Sequence, residues 1–406
     1  MKNVVIVGAS YVGLMAAQEL INLLPRSIYR VVVVENNSHF SHLFAYPRFA
    51  IVPSHEHKAF VPFPSMLPDP HTVLSSTTAL HLSPKSRRIK LFDAKTERES
   101  ELEYEVVVLA TGTTLSPPGT IPGTGTKREG IDYLKASQSE LAQARKIVIL
   151  GGGAIGVQMA CDLATVFPPA RTGKTITLLH SHDTLMNRFH PRLSDIIKRR
   201  FEELGVETVL GSRAEIPAGG FKHGGGEPST VRTLDGRSVE ADCIIQSTGQ
   251  TPNSQLVSSF APSAIASNGF VSVDRTLAVS PRSKVEADEL DGRVFAIGDI
   301  ADTGAQKAAR PAMAHARVLA QNVVKLVTGE SRSSFDSIVV APSAIHLTLG
   351  FAESIIFQNP ARSDTGEWEG EPNVTWKDDG REDMAIESVW ERRLGKKERT
   401  EAEYHL

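Results

Sequence analysis

Near its start the chain passes from a strongly apolar segment, through a glycine-containing loop, into a segment with helical spacing of apolar residues. Val4–Val7 are four consecutive β-favouring residues, the helical spacing runs from Tyr11 to Leu24, and Pro25 stops it before a second apolar segment at Val31–Val34. Strands this uniformly apolar are typical of parallel sheets that helices cover on both faces. The pattern therefore predicts a βαβ unit of an α/β fold.

The same pattern is repeated further along the chain. Ile147–Leu150 is predicted as a strand, Ala154–Phe167 as a helix that Pro168 and Pro169 stop, and Thr175–Leu179 as the next strand. At 406 residues the chain is longer than a single hydrophobic core usually supports. Two doubly wound nucleotide-binding domains are therefore expected.

Two further apolar strands mark where the chain crosses between these domains. Glu105–Ala110 runs into a Pro- and Gly-rich stretch, Ser116–Gly125, and Asp242–Gln246 runs into Thr248-Gly249. Gly219–Gly226 is expected to be a hairpin connection within the second domain. The predicted division is 1–115 with 252–330 for the first nucleotide-binding domain, 116–251 for the second, and 331–406 for a C-terminal domain.

The first loop reads Gly8-Ala9-Ser10-Tyr11-Val12-Gly13, a G-x-G-x-x-G pattern with serine at the middle glycine. A dinucleotide site needs a small residue there, because the backbone and the helix N-terminus approach the pyrophosphate. Glu35 ends the next strand, where an acidic side chain accepts hydrogen bonds from ribose hydroxyls. The alternative, a tight turn in a sheet without ligand, is less compatible with Glu35 at this position.

The second loop, Gly151-Gly152-Gly153-Ala154-Ile155-Gly156, is a complete fingerprint between a strand and a helix. Its strand ends at His180-Ser181-His182, so the acid that would repel a 2′-phosphate is missing, and Arg188 is a candidate phosphate partner. NADPH should therefore be accepted. The alternative for the two histidines is that they are solvated loop residues.

A third strand, Arg293-Val294-Phe295-Ala296-Ile297-Gly298-Asp299, delivers a carboxylate just before a predicted helix at Gln306–Thr328. With the two loops and the strand ends Ala110-Thr111-Gly112 and Ser247-Thr248-Gly249, it resembles the pyridine nucleotide-disulfide reductase fold group. Within that group the chain is similar, over about residues 1 to 395, to the apoptosis-inducing-factor-like branch. That branch includes AMID, the ferroptosis suppressor protein, and related fungal NAD(P)H oxidoreductases.

The resemblance implies two Rossmann-type domains arranged as in glutathione reductase, with a smaller α+β C-terminal domain. It implies FAD on the first domain, with Asp299 on the ribityl chain, and NAD(P)H on the second. In the family, a lysine at the position of Lys58 lies near the flavin, and His315 lies on the helix that faces it. The alternatives are a surface loop for Lys58 and a packed side chain for His315. Gln158 stands where many relatives have a glutamate beside the nicotinamide.

These arguments give a set of predicted site residues. The predicted catalytic residues are Lys58 and His315. The predicted cofactor-binding residues are Gly8, Ser10, Gly13, Glu35, Arg48, Lys58, Ala79, Thr111, Gly112, Gly298, Asp299 and Pro311 for FAD, and Gly151, Gly153, Ile155, Gly156, Gln158, His180, Ser181, Arg188 and Gly249 for NAD(P)H. No metal site is expected.

Composition excludes several classes of protein. A formal net charge of −3 gives no electrostatic footprint for nucleic acid. The two cysteines, Cys161 and Cys243, lie far apart and form no C-x-x-C dithiol, which excludes a disulfide reductase. No apolar run reaches the length of a membrane helix, and no leader peptide is recognisable, so a cytoplasmic protein is expected. The sequence leaves open a homodimer and a peripheral association with an organelle membrane.

The function predicted in this way is hydride transfer from NAD(P)H to FAD, followed by electron transfer to a quinone-like acceptor or to oxygen. One alternative is a flavin-dependent monooxygenase or oxidase of secondary metabolism, although the F-x-G-x-x-x-H-x-x-x-W pattern is not found. Another is a redox sensor that NAD(P)H reduces only once.

In the C-terminal domain, an apolar stripe with helical spacing is formed by Ile386, Val389, Trp390 and Leu394. We expect this stripe to be buried on the first domain or on a partner.

Overall fold

Two parallel sheets, one for each glycine loop, organise the chain in the computed structural model, which describes residues 1–63, 66–123, 125–221, 229–396 and 399–406. In the first sheet the strand order is Val294–Ala296, Val106–Leu109, Lys2–Val7, Tyr29–Val34 and Thr72–Leu74, with every neighbouring pair parallel. In the second the order is Glu207–Val209, Thr175–Leu179, Lys146–Leu150 and Cys243–Gln246, again all parallel. The predicted α/β fold with two Rossmann-type sheets is confirmed.

The helices follow the sequence pattern closely at the two glycine loops. The helices in the described residues are Tyr11–Leu23, Tyr46–Phe49, Lys127–Gln143, Ala154–Val166, Pro169–Thr172, Pro191–Leu204, Gln255–Ser258, Lys284–Leu290, Ala309–Val327 and Ile386–Leu394. Pro169 was expected only to stop a helix, but it begins a short one, because the missing N–H of proline costs nothing at the first helical position. The helix predicted from Gln306 begins at Ala309, after an extended Ala308.

All but one of the remaining small sheets are antiparallel. They are His39–Ser41 with Phe60–Pro62; Thr77–Ser83, Arg88–Asp93 and Arg98–Glu103; Thr113–Leu115 with Gln250–Pro252; Ser229–Arg232 with Ser238–Ala241; Val271–Ser272 with Ala301–Asp302, which is parallel; Ala344–Thr348, Ser354–Gln358 and Asn373–Lys377; and Ala361–Arg362 with Trp368–Glu369.

The two connections between the parallel sheets run side by side, because Thr113–Leu115 pairs with Gln250–Pro252. The segment predicted as a hairpin connection, Gly219–Gly226, lies largely outside the described residues. The described hairpin that follows is closed by residues 233–237 instead.

The C-terminal segment packs on both halves of the molecule. Its three-stranded sheet buries Leu347, Ile355 and Phe357 in the core around the second parallel sheet. Its helix, Ile386–Leu394, buries the predicted apolar stripe in the core around the first sheet, where Trp390 is fully buried. The stripe is therefore covered by this chain itself. Among the described residues, no helix is long and apolar enough to cross a membrane.

Candidate functional site

A cleft of about 2780 Å³ opens between the two parallel sheets. Both glycine loops line it, together with the carboxyl ends of both sheets and part of the C-terminal segment. This is the edge where ligands bind in open α/β sheets. An ordinary small-molecule pocket holds roughly 300 to 1,000 Å³, so the cleft has room for more than one ligand of that size.

The first glycine loop is held tightly against its own helix and strand. A Cβ on Gly13 would come within 1.9 Å of the Gly8 carbonyl oxygen, so only glycine allows the helix to approach the loop this closely. Glu35 accepts hydrogen bonds from the Ala9 amide at 2.6 Å and the Asn37 amide at 2.9 Å. Burial raises the pKa of this carboxyl group. The strand end and the loop thus form one preorganised unit in the wall of the cleft.

The second loop has the same construction with a different side chain at the strand end. A Cβ on Gly156 would lie 2.0 Å from the Gly151 carbonyl oxygen, whereas a Cβ on Gly153 would meet nothing within 4 Å. His180 Nδ1 accepts a hydrogen bond from the Gly152 amide at 3.0 Å, as Glu35 does from Ala9 at the corresponding loop position. Burial lowers the pKa of His180, and an Nδ1 that accepts a hydrogen bond carries no proton, as in the neutral ring. His180 is therefore the uncharged counterpart of Glu35 and not a solvated loop residue.

Several polar side chains lie near the end of the second strand. His180 Nε2 is buried and has no hydrogen-bond partner. Ser181, His182, Arg188 and Arg213 lie in the wall, and neither arginine has an ion pair among the described residues. Sequence reasoning missed Arg213, because it follows the strand Glu207–Val209 in a segment without a recognisable motif.

Polar side chains at and after the end of the third strand line the cleft. Asp299 lies in the wall, and burial raises its pKa against the opposing effect of the Lys307 ammonium. Next to them in sequence, Gln306 Oε1 is buried without a partner and its residue also lines the cleft. Asp299, Gln306 and Lys307 therefore form a polar part of the cleft wall.

Most predicted site residues share this one cleft. Those in its wall are Gly8, Ser10, Gly13, Glu35, Ala79, Thr111, Gly112, Gly298, Asp299, Gly151, Gly153, Ile155, Gln158, His180, Ser181, Arg188 and Gly249. Five are not in the wall: Arg48, Lys58, Pro311, Gly156 and His315. Gly156 lies behind the wall, where its lack of a side chain allows close contact with Gly151, which lines the cleft. Pro311 lies in the first turn of the helix Ala309–Val327, whose wall residues include Arg310 and Met313.

Arg48 was expected to bind cofactor, but the structure places it in a buried junction. Its Nε donates to Asp162 at 2.6 Å, and its two terminal nitrogens donate to the carbonyls of Arg381 and Gly350. Both charged side chains are essentially inaccessible to solvent. Arg48 therefore ties the first half of the chain to the helix Ala154–Val166 and to the C-terminal segment.

Lys58 was expected beside the flavin, but its ammonium group faces the last turn of the chain. It lies 3.5 Å from Glu401 and 4.6 Å from the centre of the Tyr404 ring. The backbone carbonyl of Lys58 accepts a hydrogen bond from Trp390 Nε1 at 2.7 Å. The C-terminal segment, which is far away in sequence, thus covers Lys58 and removes it from the wall of the cleft.

His315 was predicted to be catalytic, but it is buried and is not among the residues that line the cleft. Burial lowers the pKa of His315, and a contact with the backbone of Val339 partly opposes this. This position agrees with the alternative that His315 is a packed side chain.

One group of potential metal ligands lies outside the cleft, formed by His57, Glu401 and His405. The two imidazole rings stack at 4.4 Å with an angle of 2° between their planes. Imidazole binds metal through lone pairs in the ring plane, so two parallel stacked rings do not point at a common ion. Lys58 beside Glu401 also disfavours a cation.

Two doubly wound sheets whose glycine loops open into one cleft define the class of α/β dinucleotide oxidoreductases. Within that class, the chain belongs to the pyridine nucleotide-disulphide oxidoreductase family, whose sequence profile matches residues 2–319. Enzymes of this family typically bind FAD and NAD(P)H. The orphaned polar atoms of His180 and Gln306 and the open space at Gly153 fit these cofactors.

Several curated proteins are similar to the chain over most of its length. Fe-regulated protein 8 of Mycosarcoma maydis is 34% identical over 372 residues, covering 87% of this chain and 88% of that protein. Apoptosis-inducing factor homolog A of Dictyostelium discoideum is 26% identical over 363 residues, or 86% and 83% of the two chains. Ferroptosis suppressor protein 1 of Taeniopygia guttata is 26% identical over 337 residues, or 82% and 83%. The resemblance to the apoptosis-inducing-factor-like branch is confirmed.

A solved structure supports the fold. The sulfide:quinone oxidoreductase of Aquifex aeolicus superposes with a TM-score of 0.72 at 16% sequence identity, covering 98% of this chain and 92% of that one.

Proposed function

We propose that this chain is an FAD-dependent NAD(P)H oxidoreductase that passes electrons to a quinone-like acceptor, and slowly to oxygen. The observation that carries the proposal is that two dinucleotide-type loops, each with its own strand-end side chain, open into a single cleft. When bound, FAD would supply the capacity to accept hydride from a reduced nicotinamide and to deliver electrons to an acceptor. The protein would bind and orient the two nucleotides in the cleft and exclude water.

The domain that contains the first glycine loop is assigned to FAD. The helix Tyr11–Leu23 directs its N-terminus at the cleft and would stabilise the pyrophosphate, and Glu35 would accept from the ribose hydroxyls. Asp299 and Gln306 supply acceptors for the ribityl hydroxyls. This corresponds to a discontinuous FAD domain, 1–115 with 252–330.

The domain that contains the second glycine loop, residues 116–251, is assigned to NAD(P)H. Gly153 leaves open space for the pyrophosphate, and the unpartnered Nε2 of His180 can donate to a ribose hydroxyl. His182, Arg188 and Arg213 in the wall favour a 2′-phosphate, since no carboxylate at position 180 repels it. NADPH should therefore be used at least as well as NADH.

The C-terminal domain, 331–406, is assigned to the acceptor side. It contributes apolar wall residues, including Ile345, Leu347 and Phe351, and, from its helix, the cationic Arg392 and Arg393. An apolar surface with a few polar groups suits a planar carbonyl compound such as a quinone. The two cysteines are buried and absent from the wall, so thiol chemistry at the cleft is not supported.

A steady-state assay with NADPH and a panel of short-chain quinones tests the proposal. Repeated turnover with at least one quinone, faster than with oxygen alone, is the expected result. Reduction of the bound flavin that stops after a single equivalent would favour a redox sensor. Incorporation of oxygen into an organic substrate would favour a monooxygenase.

A further inference from the structure

A tyrosine and a histidine form a hydrogen-bonded pair in the wall of the cleft, outside every role assigned so far. Tyr11 is the first residue of the helix that follows the first glycine loop, and His42 follows the short strand His39–Ser41. The Tyr11 hydroxyl lies 2.7 Å from His42 Nδ1, and both residues line the cleft. His42 is only 8% exposed.

The protonation of the two groups limits how they can share a proton. Burial raises the pKa of the Tyr11 hydroxyl, while the backbone of Phe44 and of Leu43 acts against this rise. The protonated hydroxyl can therefore donate to His42 Nδ1, 2.7 Å away. A neutral imidazole that accepts at Nδ1 carries its proton on Nε2.

The free end of the imidazole faces the cleft. His42 Nε2 has no protein partner among the described residues, although the residue lies in the wall. Burial, with Arg393 and Arg392 nearby, lowers the pKa of His42 to about 3. The imidazole is therefore a neutral donor at ordinary pH.

The pair lies on the side of the cleft formed by the C-terminal helix. The guanidinium of Arg393, from the helix Ile386–Leu394, stands 4.2 Å from the centre of the Phe40 ring and 5.7 Å from that of Tyr11. Phe44 packs beside Tyr11 with ring centres 4.9 Å apart. The described charged or titratable groups that act on the pair are Arg392, Arg393 and Tyr46.

We propose that His42 donates a hydrogen bond through Nε2–H to a carbonyl oxygen of the acceptor, and that Tyr11 is the positioning residue that fixes this tautomer. This inference rests on the proposed function. A quinone becomes a hydroquinone by gaining a hydride, which brings two electrons and one proton, and one further proton from water. Negative charge develops on the carbonyl oxygen as the hydride arrives. A preorganised neutral donor stabilises that charge without changing its own protonation state.

Stopped-flow kinetics of the holoenzyme separates the two half-reactions. His42→Leu should slow reoxidation by a short-chain quinone by about 100-fold, the usual cost of one such donor, while NADPH still reduces the flavin at nearly the wild-type rate. His42→Gln keeps an N–H donor and should recover most of this loss. Tyr11→Phe should have an intermediate effect, because the donor remains but its tautomer is no longer fixed.

An independent readout is the ¹⁵N NMR spectrum of the histidine-labelled protein as purified. His42 should show a protonated Nε2 and an unprotonated Nδ1, and should not titrate between about pH 5 and 8. Tyr11→Phe should shift it towards a mixture of tautomers.

Three results would overturn the inference. They are wild-type reoxidation in His42→Leu and His42→Gln alike, an equal slowing of both half-reactions with a changed flavin spectrum, and a proton on Nδ1 in the native protein. If the wild-type protein is not reduced by NADPH at all, the proposed function fails, and that failure is seen before any variant is compared.

Discussion

At the strand end of each nucleotide loop, one side chain accepts a hydrogen bond from the second residue of the loop. Glu35 does so with a carboxylate and His180 with a neutral ring, although the backbone geometry is the same. The choice of residue therefore adjusts the charge of the site while the loop keeps its anchor.

His180→Glu should recreate the acidic arrangement of the first loop at the second. Because the new carboxylate would face a 2′-phosphate, kcat/KM for NADPH should fall by about tenfold or more, while that for NADH changes little. Steady-state kinetics with both nucleotides measures this. Arg188→Ala is the companion variant, since it removes an attraction for the phosphate instead of adding a repulsion. Equal losses for NADH and NADPH in both variants would show that these positions do not face the 2′ group.

The Arg48–Asp162 pair has a structural role in this account. Arg48→Met should destabilise the protein by about 3 to 5 kcal/mol, because the Asp162 carboxylate is left buried without its partner. The double variant Arg48→Met/Asp162→Leu should recover much of the lost stability. Thermal unfolding measures both. A strong loss of flavin from Arg48→Met without a change in Tm would instead return Arg48 to cofactor binding.

Two glycines of the second loop, Gly153 and Gly156, are needed for different physical reasons. Gly153→Ala places a methyl group in open space, so the fold and Tm should be kept while NAD(P)H binds about tenfold or more weakly, because the backbone can no longer approach the pyrophosphate. Gly156→Ala forces a contact of 2.0 Å with the Gly151 carbonyl and should lower Tm. Nucleotide titration and thermal unfolding of the two variants, compared side by side, check the distinction. A fall in Tm in Gly153→Ala would contradict it.

The helix Ile386–Leu394 fastens the C-terminal segment to the first core. Trp390 is fully buried, so Trp390→Ala should cost about 3 to 5 kcal/mol, with Trp376→Ala as a control at a tryptophan that is 52% exposed. Equal stability of the two variants would mean that the helix does not hold the segment in place. Deletion of this segment would uncover the first core, which the helix covers.

Across the whole molecule, the features that could be predicted from the sequence are those that depend on residues close together in the chain. Both βαβ units, both glycine loops and the strand end at Asp299 follow from apolar periodicity and turn residues that are close in sequence. The wall of the cleft could be predicted for the same reason, since the carboxyl ends of parallel strands meet at one edge.

The residues that sequence analysis misplaced depend on contacts from distant parts of the chain. Lys58 meets Glu401 and Tyr404, Arg48 meets Asp162 and Gly350, and the partners of neither can be inferred from spacing. Tyr11 and His42 were overlooked as a pair, because nothing in the sequence shows that the two side chains meet.

We infer that one cleft holds FAD and NAD(P)H so that hydride passes between them. Anaerobic mixing of the purified protein with NADPH, followed through the flavin absorbance, tests this most directly. We predict that FAD released by heating is unmodified, that NADPH bleaches the bound flavin in a single turnover, and that Gly153→Ala raises the NADPH concentration needed for half-maximal bleaching. A protein that cannot be reconstituted with FAD, or a bound flavin that neither NADPH nor NADH reduces, would contradict it.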